Sequence, residues 1–223
     1  MPLVLNLPSE SINVDLPMRY LYEEVEASSD KLVLFLHGYS DHGPSLAKRV
    51  LRGQALGLPW LAPNAPFPVP IKTADGFREA YSWYFMNLET REFYVSPKVA
   101  GQMLTQLLRR LNLLDREIII VGFSQGGFFA PFVAQELKNV KKVIGVGAAY
   151  PEEFYRPPQP WSLDAIHGEA DEVVPLVRTQ ETLQKLNALG QATSLTVIPS
   201  VKHDVSREVA AHILQSIRQK WPE

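Results

Sequence analysis

Apolar residues along this chain fall into two kinds of run. Some are short and unbroken: Ile118, Ile119, Ile120 and Val121 show no polar alternation, which is how a strand covered on both faces reads. Others recur at helical spacing, as Ala100, Leu104, Leu107, Leu108 and Leu111 do, and again Val209, Ala210, Ile213, Leu214 and Ile217. The two kinds alternate, which predicts an α/β fold with a mostly parallel central sheet and helices on both faces. Strands are expected at Tyr20 to Glu26, Lys31 to Leu36, Leu58 to Leu61, Glu117 to Phe123, Lys142 to Gly147, Leu163 to His167 and Ser194 to Ile198. Helix boundaries are marked by Ser96 as N-cap with Pro97 behind it, by Pro175 and Gly190, and by Ser206 before the closing helix. The proline-rich pieces "APNAPFPVP" and "PEEFYRPPQPW" are too short for linkers and read as loops. With no repeat and no linker, residues 1–223 are expected to form a single domain.

Composition narrows the class mostly by exclusion. A hydrophobic fraction of 46% and a charged fraction of 21% are ordinary for a globular chain. The net charge of -2 gives no electrostatic case for binding nucleic acid or an anionic membrane. Cysteine is absent, so disulfides, thiolate metal sites and a cysteine nucleophile are excluded. The segment "MPLVLNLPSESINVDLP" has neither a basic start nor a sustained apolar core, and no apolar run approaches the roughly 20 residues of a spanning helix. A cytoplasmic location without membrane insertion is the default expectation.

The buried run ending at Val121 passes straight into Gly122, Phe123, Ser124, Gln125 and Gly126, and then into Phe128, Phe129, Phe132 and Val133 at helical spacing. Strand, G-x-S-x-G turn and helix make a nucleophile elbow, in which the serine sits on a strained turn and the glycines let strand and helix approach. As an alternative, Ser124 would merely cap the helix; the strand before it and the amphipathic segment behind it favour the nucleophile. A serine hydroxyl needs a base and a group to orient that base, following in the order Ser, acid, His. Asp171 in "LDAIHGEADEVVP" and His203 in "LTVIPSVKHDVS" stand in loops just after strands, where catalytic groups gather in open α/β sheets. Asp164 lies within a predicted strand and Asp204 is adjacent to His203, so neither makes a good acid. His167 and His212 are read as structural.

An oxyanion hole needs two donors. The N–H of Gln125 follows the nucleophile, and that of Tyr39 is assigned from "KLVLFLHGYSDHGPSL", where an apolar strand ends before a turn and a helix near Ser45. His37, Asp41 and His42 lack a further histidine or HExxH spacing, so no metal is expected; His37 is expected to hydrogen-bond within its loop. Phe67, Trp83, Tyr84, Phe154, Tyr155 and Trp161 are candidates for an apolar substrate site, with packing as the alternative.

Taken together, "GFSQGG", "LHG" followed by Asp41, "APNAPFPVP" before "SWY", "HGEADEVVP" and the terminal "VKH" resemble the phospholipase/carboxylesterase family, which includes acyl-protein thioesterases and small bacterial carboxylesterases. The resemblance runs from about Lys31 to Trp221. It implies an α/β-hydrolase fold, serine esterase activity without a cofactor, and a triad of Ser124, Asp171 and His203. Three departures stand out: Ser40 replaces a glycine of the oxyanion loop, Phe85 an aspartate after Ser-Trp-aromatic, and Ser200 a glycine before the histidine. The expectation is a carboxylesterase for short to medium acyl esters. Thioester or lysophospholipid cleavage is the enzymatic alternative, and a non-catalytic binding protein on the same fold the other.

Overall fold

The computed structural model describes residues 16–25, 29–87 and 89–221, and of Glu153 only the backbone. Seven strands form the main sheet among them: β1 (Tyr20–Glu23), β2 (Lys31–Leu36), β3 (Trp60–Pro63), β4 (Glu117–Phe123), β5 (Val140–Val146), β6 (Ser162–Gly168) and β7 (Thr193–Ile198). Their order is β1-β3-β2-β4-β5-β6-β7. All neighbours pair in parallel except β1 with β3, the antiparallel edge. Helices α1 (Gly43–Leu51), α2 (Pro97–Arg110), α3 (Gln125–Glu136), α4 (Leu176–Ala188) and α5 (Arg207–Lys220) cover it.

Alternate residues of the central strands supply two cores. Leu32, Leu34, Leu36, Ile118 and Ile120 meet the apolar stripes of α2, α3 and α4. Val33, Phe35, Ile119 and Val121 face α1 and α5 on the other side. Each such buried side chain is worth about 1.5–3 kcal/mol relative to exposure, and a one-residue slip would exchange the two sets, so the register of β2 and β4 is strongly specified.

The predicted strands at Lys31 to Leu36 and Glu117 to Phe123 have the observed limits, and the others overlap those seen. The first ends at Glu23; Glu26 lies outside the described residues. The third lies later than expected, at Trp60–Pro63, because it is held in register between β1 and β2. Ser96 and Ser206 cap α2 and α5 as expected, accepting from Lys98 N and Val209 N. The proline-rich loops are not purely irregular: Phe67–Pro68 pairs with Tyr81–Ser82, and Ile71–Thr73 with Gly76–Arg78.

Buried His37, at the C-terminal end of β2, ties this layer together. Its Nδ1 lies 2.7 Å from Gly38 O and its Nε2 accepts from Ala65 N at 2.9 Å, which fixes the neutral Nδ1–H tautomer. Burial is the main reason its pKa is depressed from 6.5 to about 4. The folded state therefore resists a proton that the unfolded chain accepts: stability from this group is complete above pH 6.5 and is lost as pH falls from 6.5 to about 4. The displacement from 6.5 to about 4 corresponds to about 3 kcal/mol. Urea unfolding at pH 7.5 and pH 4 should show a loss larger by about that amount in the parent than in His37→Gln. Equal losses would mean that the imidazole titrates freely.

Candidate active site

Ser124 lies between β4 and α3 with φ 51 and ψ -118, a conformation that L-residues avoid and that costs on the order of 1–3 kcal/mol. The glycines around it allow the turn. A Cβ on Gly122 would stand 2.3 Å from Gly126 O, and one on Gly126 would stand 2.0 Å from Leu36 O. Helix α3 thus begins pressed against the ends of β4 and β2, with its first N–H groups open.

Three predicted residues from three loops meet here. His203 Nε2 is 2.9 Å from Ser124 Oγ, and His203 Nδ1 is 2.7 Å from Asp171 Oδ2. A carboxylate can only accept, so Nδ1 carries the proton and Nε2 is left to accept from the serine. The other Asp171 oxygen, Oδ1, accepts from Val173 N at 2.9 Å and Val174 N at 2.8 Å. The Asp171 side chain is 1% exposed and that of His203 16%, so a buried acid supports a base that reaches the surface. Such an arrangement can move a proton from hydroxyl to imidazole as a carbonyl is attacked.

The loop after β2 closes over the serine. A Cβ on Gly38 would be 3.4 Å from Ser124 Cβ. Ser40 N donates to Tyr81 O at 3.0 Å and Tyr81 N to Asp41 O at 2.9 Å, while Asp41 pairs with Arg49. Among the described residues, the N–H groups of Tyr39 and Gln125 are given to no protein acceptor. Two of the three departures have a backbone meaning: Ser40 (φ 62) and Ser200 (φ 58) both occupy the left-handed region, where glycine is the easiest residue.

Four features went unread in the sequence. The side chain of Gln125 clamps the segment Ser82 to Tyr84: its Oε1 accepts from Trp83 N at 3.0 Å, and its Nε2 donates to Tyr84 O at 2.9 Å and Ser82 Oγ at 3.0 Å. Gly147, with φ +54, has its Cβ direction 3.2 Å from His203 Nδ1 and 3.3 Å from Asp171 Oδ2, so the His–Asp pair rests on bare backbone. His167, read as structural, is indeed buried, yet its Nε2 lies 3.5 Å from Asp171 Oδ2 and 2.8 Å from Val174 O. Arg178, in the first turn of α4, stands over the Phe128 ring at 5.6 Å. A glycine directly after a strand and a histidine in the same loop as the acid were the available signals for Gly147 and His167.

The aromatic candidates divide. Trp83 is 0% exposed, stacked on Phe129 at 5.0 Å with its Nε1 donating to His37 O at 2.9 Å. Tyr155 and Trp161 are 4% and 2% exposed and pack on each other at 5.9 Å. These three are corrected to core residues, because burial leaves them no face for a ligand. Tyr84 and Phe154 remain half-buried around Phe93, and Phe67 packs on Phe85 at 6.1 Å. Asp164 turns away to Lys142, Ser194 and Ser216, and Asp204 lies 3.7 Å from Arg49. Among the described residues, no helix is long and apolar enough to cross a membrane, and no group of three His, Asp or Glu could hold a metal ion.

A sequence model of the family described as Phospholipase/Carboxylesterase matches residues 22–221. Among solved structures, esterase PE8 is 25% identical with a TM-score of 0.69, over 93% of this chain and 100% of that one. Zea mays acyl-protein thioesterase 2 is 18% identical with a TM-score of 0.72, over 91% of this chain and 98% of that one. A carboxylesterase from Mesorhizobium loti is likewise 18% identical, with a TM-score of 0.66, over 93% and 97% of the two chains.

Proposed function

The chain belongs to the phospholipase/carboxylesterase family of serine hydrolases, and from that premise we propose that it is a carboxylesterase for short to medium acyl esters. The observation that carries this reading is the run of hydrogen bonds from Ser124 through His203 to Asp171, at 2.9 and 2.7 Å, on a strained elbow. Ser124 Oγ attacks the ester carbonyl while His203 Nε2 takes its proton. The oxyanion accepts from the N–H groups of Tyr39 and Gln125. On collapse the C–O bond to the alcohol breaks and His203 returns the proton to the leaving oxygen. Water then attacks the acyl-enzyme by the same route, and Asp171 stabilises the imidazolium in both halves.

The preference for shorter chains rests on what walls the site. A long acyl chain needs a deep apolar channel, and the longest connection here, residues 64–96 between β3 and α2, is itself folded into short strand pairs, Phe67–Pro68 with Tyr81–Ser82, Ile71–Thr73 with Gly76–Arg78 and Phe85–Met86 with Phe93–Val95, rather than opened as a roof over such a channel. "PEEFYRPPQPW" is stiffened by prolines, and its Tyr155 and Trp161 are spent on the core rather than on a channel wall. Each buried methylene adds up to about 0.8 kcal/mol until the room ends. We expect kcat/KM for nitrophenyl esters to peak at about four to eight acyl carbons, by that gain set against lost space. The series should run from acetyl to palmitoyl below micellar concentrations, beside a matched acyl thioester. A steady rise through palmitoyl, or a strong preference for the thioester, would replace this reading with an acyl-protein thioesterase or lysophospholipase. The reaction needs no cofactor, and the proposal treats residues 1–223 as one α/β-hydrolase domain.

A further inference from the structure

The mechanism above leaves one charged side chain at the site unused. Arg178 is half-buried, and among the described residues its guanidinium makes no hydrogen bond and no ion pair. Its contacts are the Phe128 ring, 5.6 Å away, and the field it exerts on the Tyr84 hydroxyl. Among the described side chains, Asp171 holds His203, Glu152 pairs with Lys185 at 3.7 Å, and Glu172 and Glu181 are exposed and make no ion pair with Arg178. Nor does the helix welcome it. Arg178 is in the first turn of α4, where the dipole favours an anion; that turn has no acidic residue, and Pro175 provides no side-chain cap. A cation unfavourably placed, unpaired and propped on an aromatic ring is poised for an anion that arrives from outside.

Its position says which part of a substrate would bring that anion. Phe128 N donates to Ser124 O at 3.0 Å, so the ring under Arg178 belongs to the first turn behind the nucleophile. His203, which must protonate the leaving oxygen, leans instead on Phe123, the residue before Ser124, at 4.9 Å. If the leaving group lies toward Phe123 and His203, the side toward Phe128, Tyr84 and Arg178 is left for the acyl chain. One helical turn and a ring contact together set a span on the order of 10 Å, which an acyl chain of about six carbons covers once the carboxylate–guanidinium separation of about 4 Å is included.

We propose that Arg178 is the anion-binding end of the acyl site, and that the preferred substrates are half-esters of dicarboxylic acids, with the free carboxylate held by the guanidinium. This rests on the carboxylesterase reading and adds the substrate class to it. The test compares monoethyl adipate with ethyl hexanoate at pH 8 in a pH-stat, for the parent, Arg178→Gln and Arg178→Lys. A third ester, the butyrate of 3-hydroxypropanoate, carries its carboxylate on the alcohol. In the parent, kcat/KM for the adipate half-ester should exceed that for ethyl hexanoate by about tenfold or more. Arg178→Gln should collapse that ratio, mainly through KM, and Arg178→Lys should retain part of it. A ratio untouched by Arg178→Gln, or a dependence on Arg178 only for the alcohol-side carboxylate, overturns the proposal alone. No turnover of any ester sinks the carboxylesterase reading and this proposal with it.

Discussion

Ser124→Ala is expected to lower kcat/KM by at least about a thousandfold on every ester the protein cleaves, and to abolish labelling by a fluorophosphonate. The size follows from the geometry. Ser124 Oγ is the hydroxyl 2.9 Å from His203 Nε2, and no covalent route remains once it is gone. Residual activity would come only from the N–H groups of Tyr39 and Gln125 polarising a carbonyl for direct attack by water. The stability of the same position should move the other way under a different change. Alanine keeps a Cβ at φ 51, so the strain persists; Ser124→Gly removes it and should raise unfolding free energy by about 1 kcal/mol. Activity lost with no gain in the glycine variant would mean that the elbow is not strained. Undiminished turnover in Ser124→Ala would end the serine-nucleophile reading.

What the sequence made legible follows from how far apart the interacting residues are. Strands β2 and β4 were readable to their ends because burial on both faces demands an unbroken apolar run, a local signal. Strand β3 was misplaced by two residues because its limits are set by pairing with β1 and β2, and no local pattern records partners that stand 27 to 43 residues away (Val33 with Trp60, Tyr20 with Pro63). The two-residue strands around Phe67 and Tyr81 are too short to show any period. At the site, Ser124, Asp171 and His203 were legible because each follows a strand in the order such chemistry requires. The clamp from Gln125 to Trp83 and Tyr84 spans 42 and 41 positions, and nothing near Gln125 announces it. Aromatic residues misled for a related reason: Trp83, Tyr155 and Trp161 are the same residue types that line pockets, and only the packing shows that their faces are taken.

The second large effect concerns Asp171, where an isosteric change should be nearly as damaging as removal. Asp171 Oδ1 accepts two backbone N–H groups, from Val173 and Val174. In Asp171→Asn the amide must keep its oxygen there, since its NH2 would meet two donors. The NH2 is then forced to the place of Oδ2, which is 2.7 Å from His203 Nδ1. An NH2 donates, so His203 must present an unprotonated Nδ1 and carry its proton on Nε2, facing Ser124. That tautomer cannot accept the hydroxyl proton. The expected cost is on the order of a thousandfold to ten-thousandfold in kcat, with KM little changed, because ground-state binding does not involve the imidazole proton. In Asp171→Ala the imidazole is free to adopt either tautomer, so that variant should be no worse than Asp171→Asn despite losing more contacts. Steady-state kinetics of both variants at pH 8 decide the point, with thermal unfolding to check that each is folded. Asp171→Asn within tenfold of the parent would remove Asp171 from the mechanism.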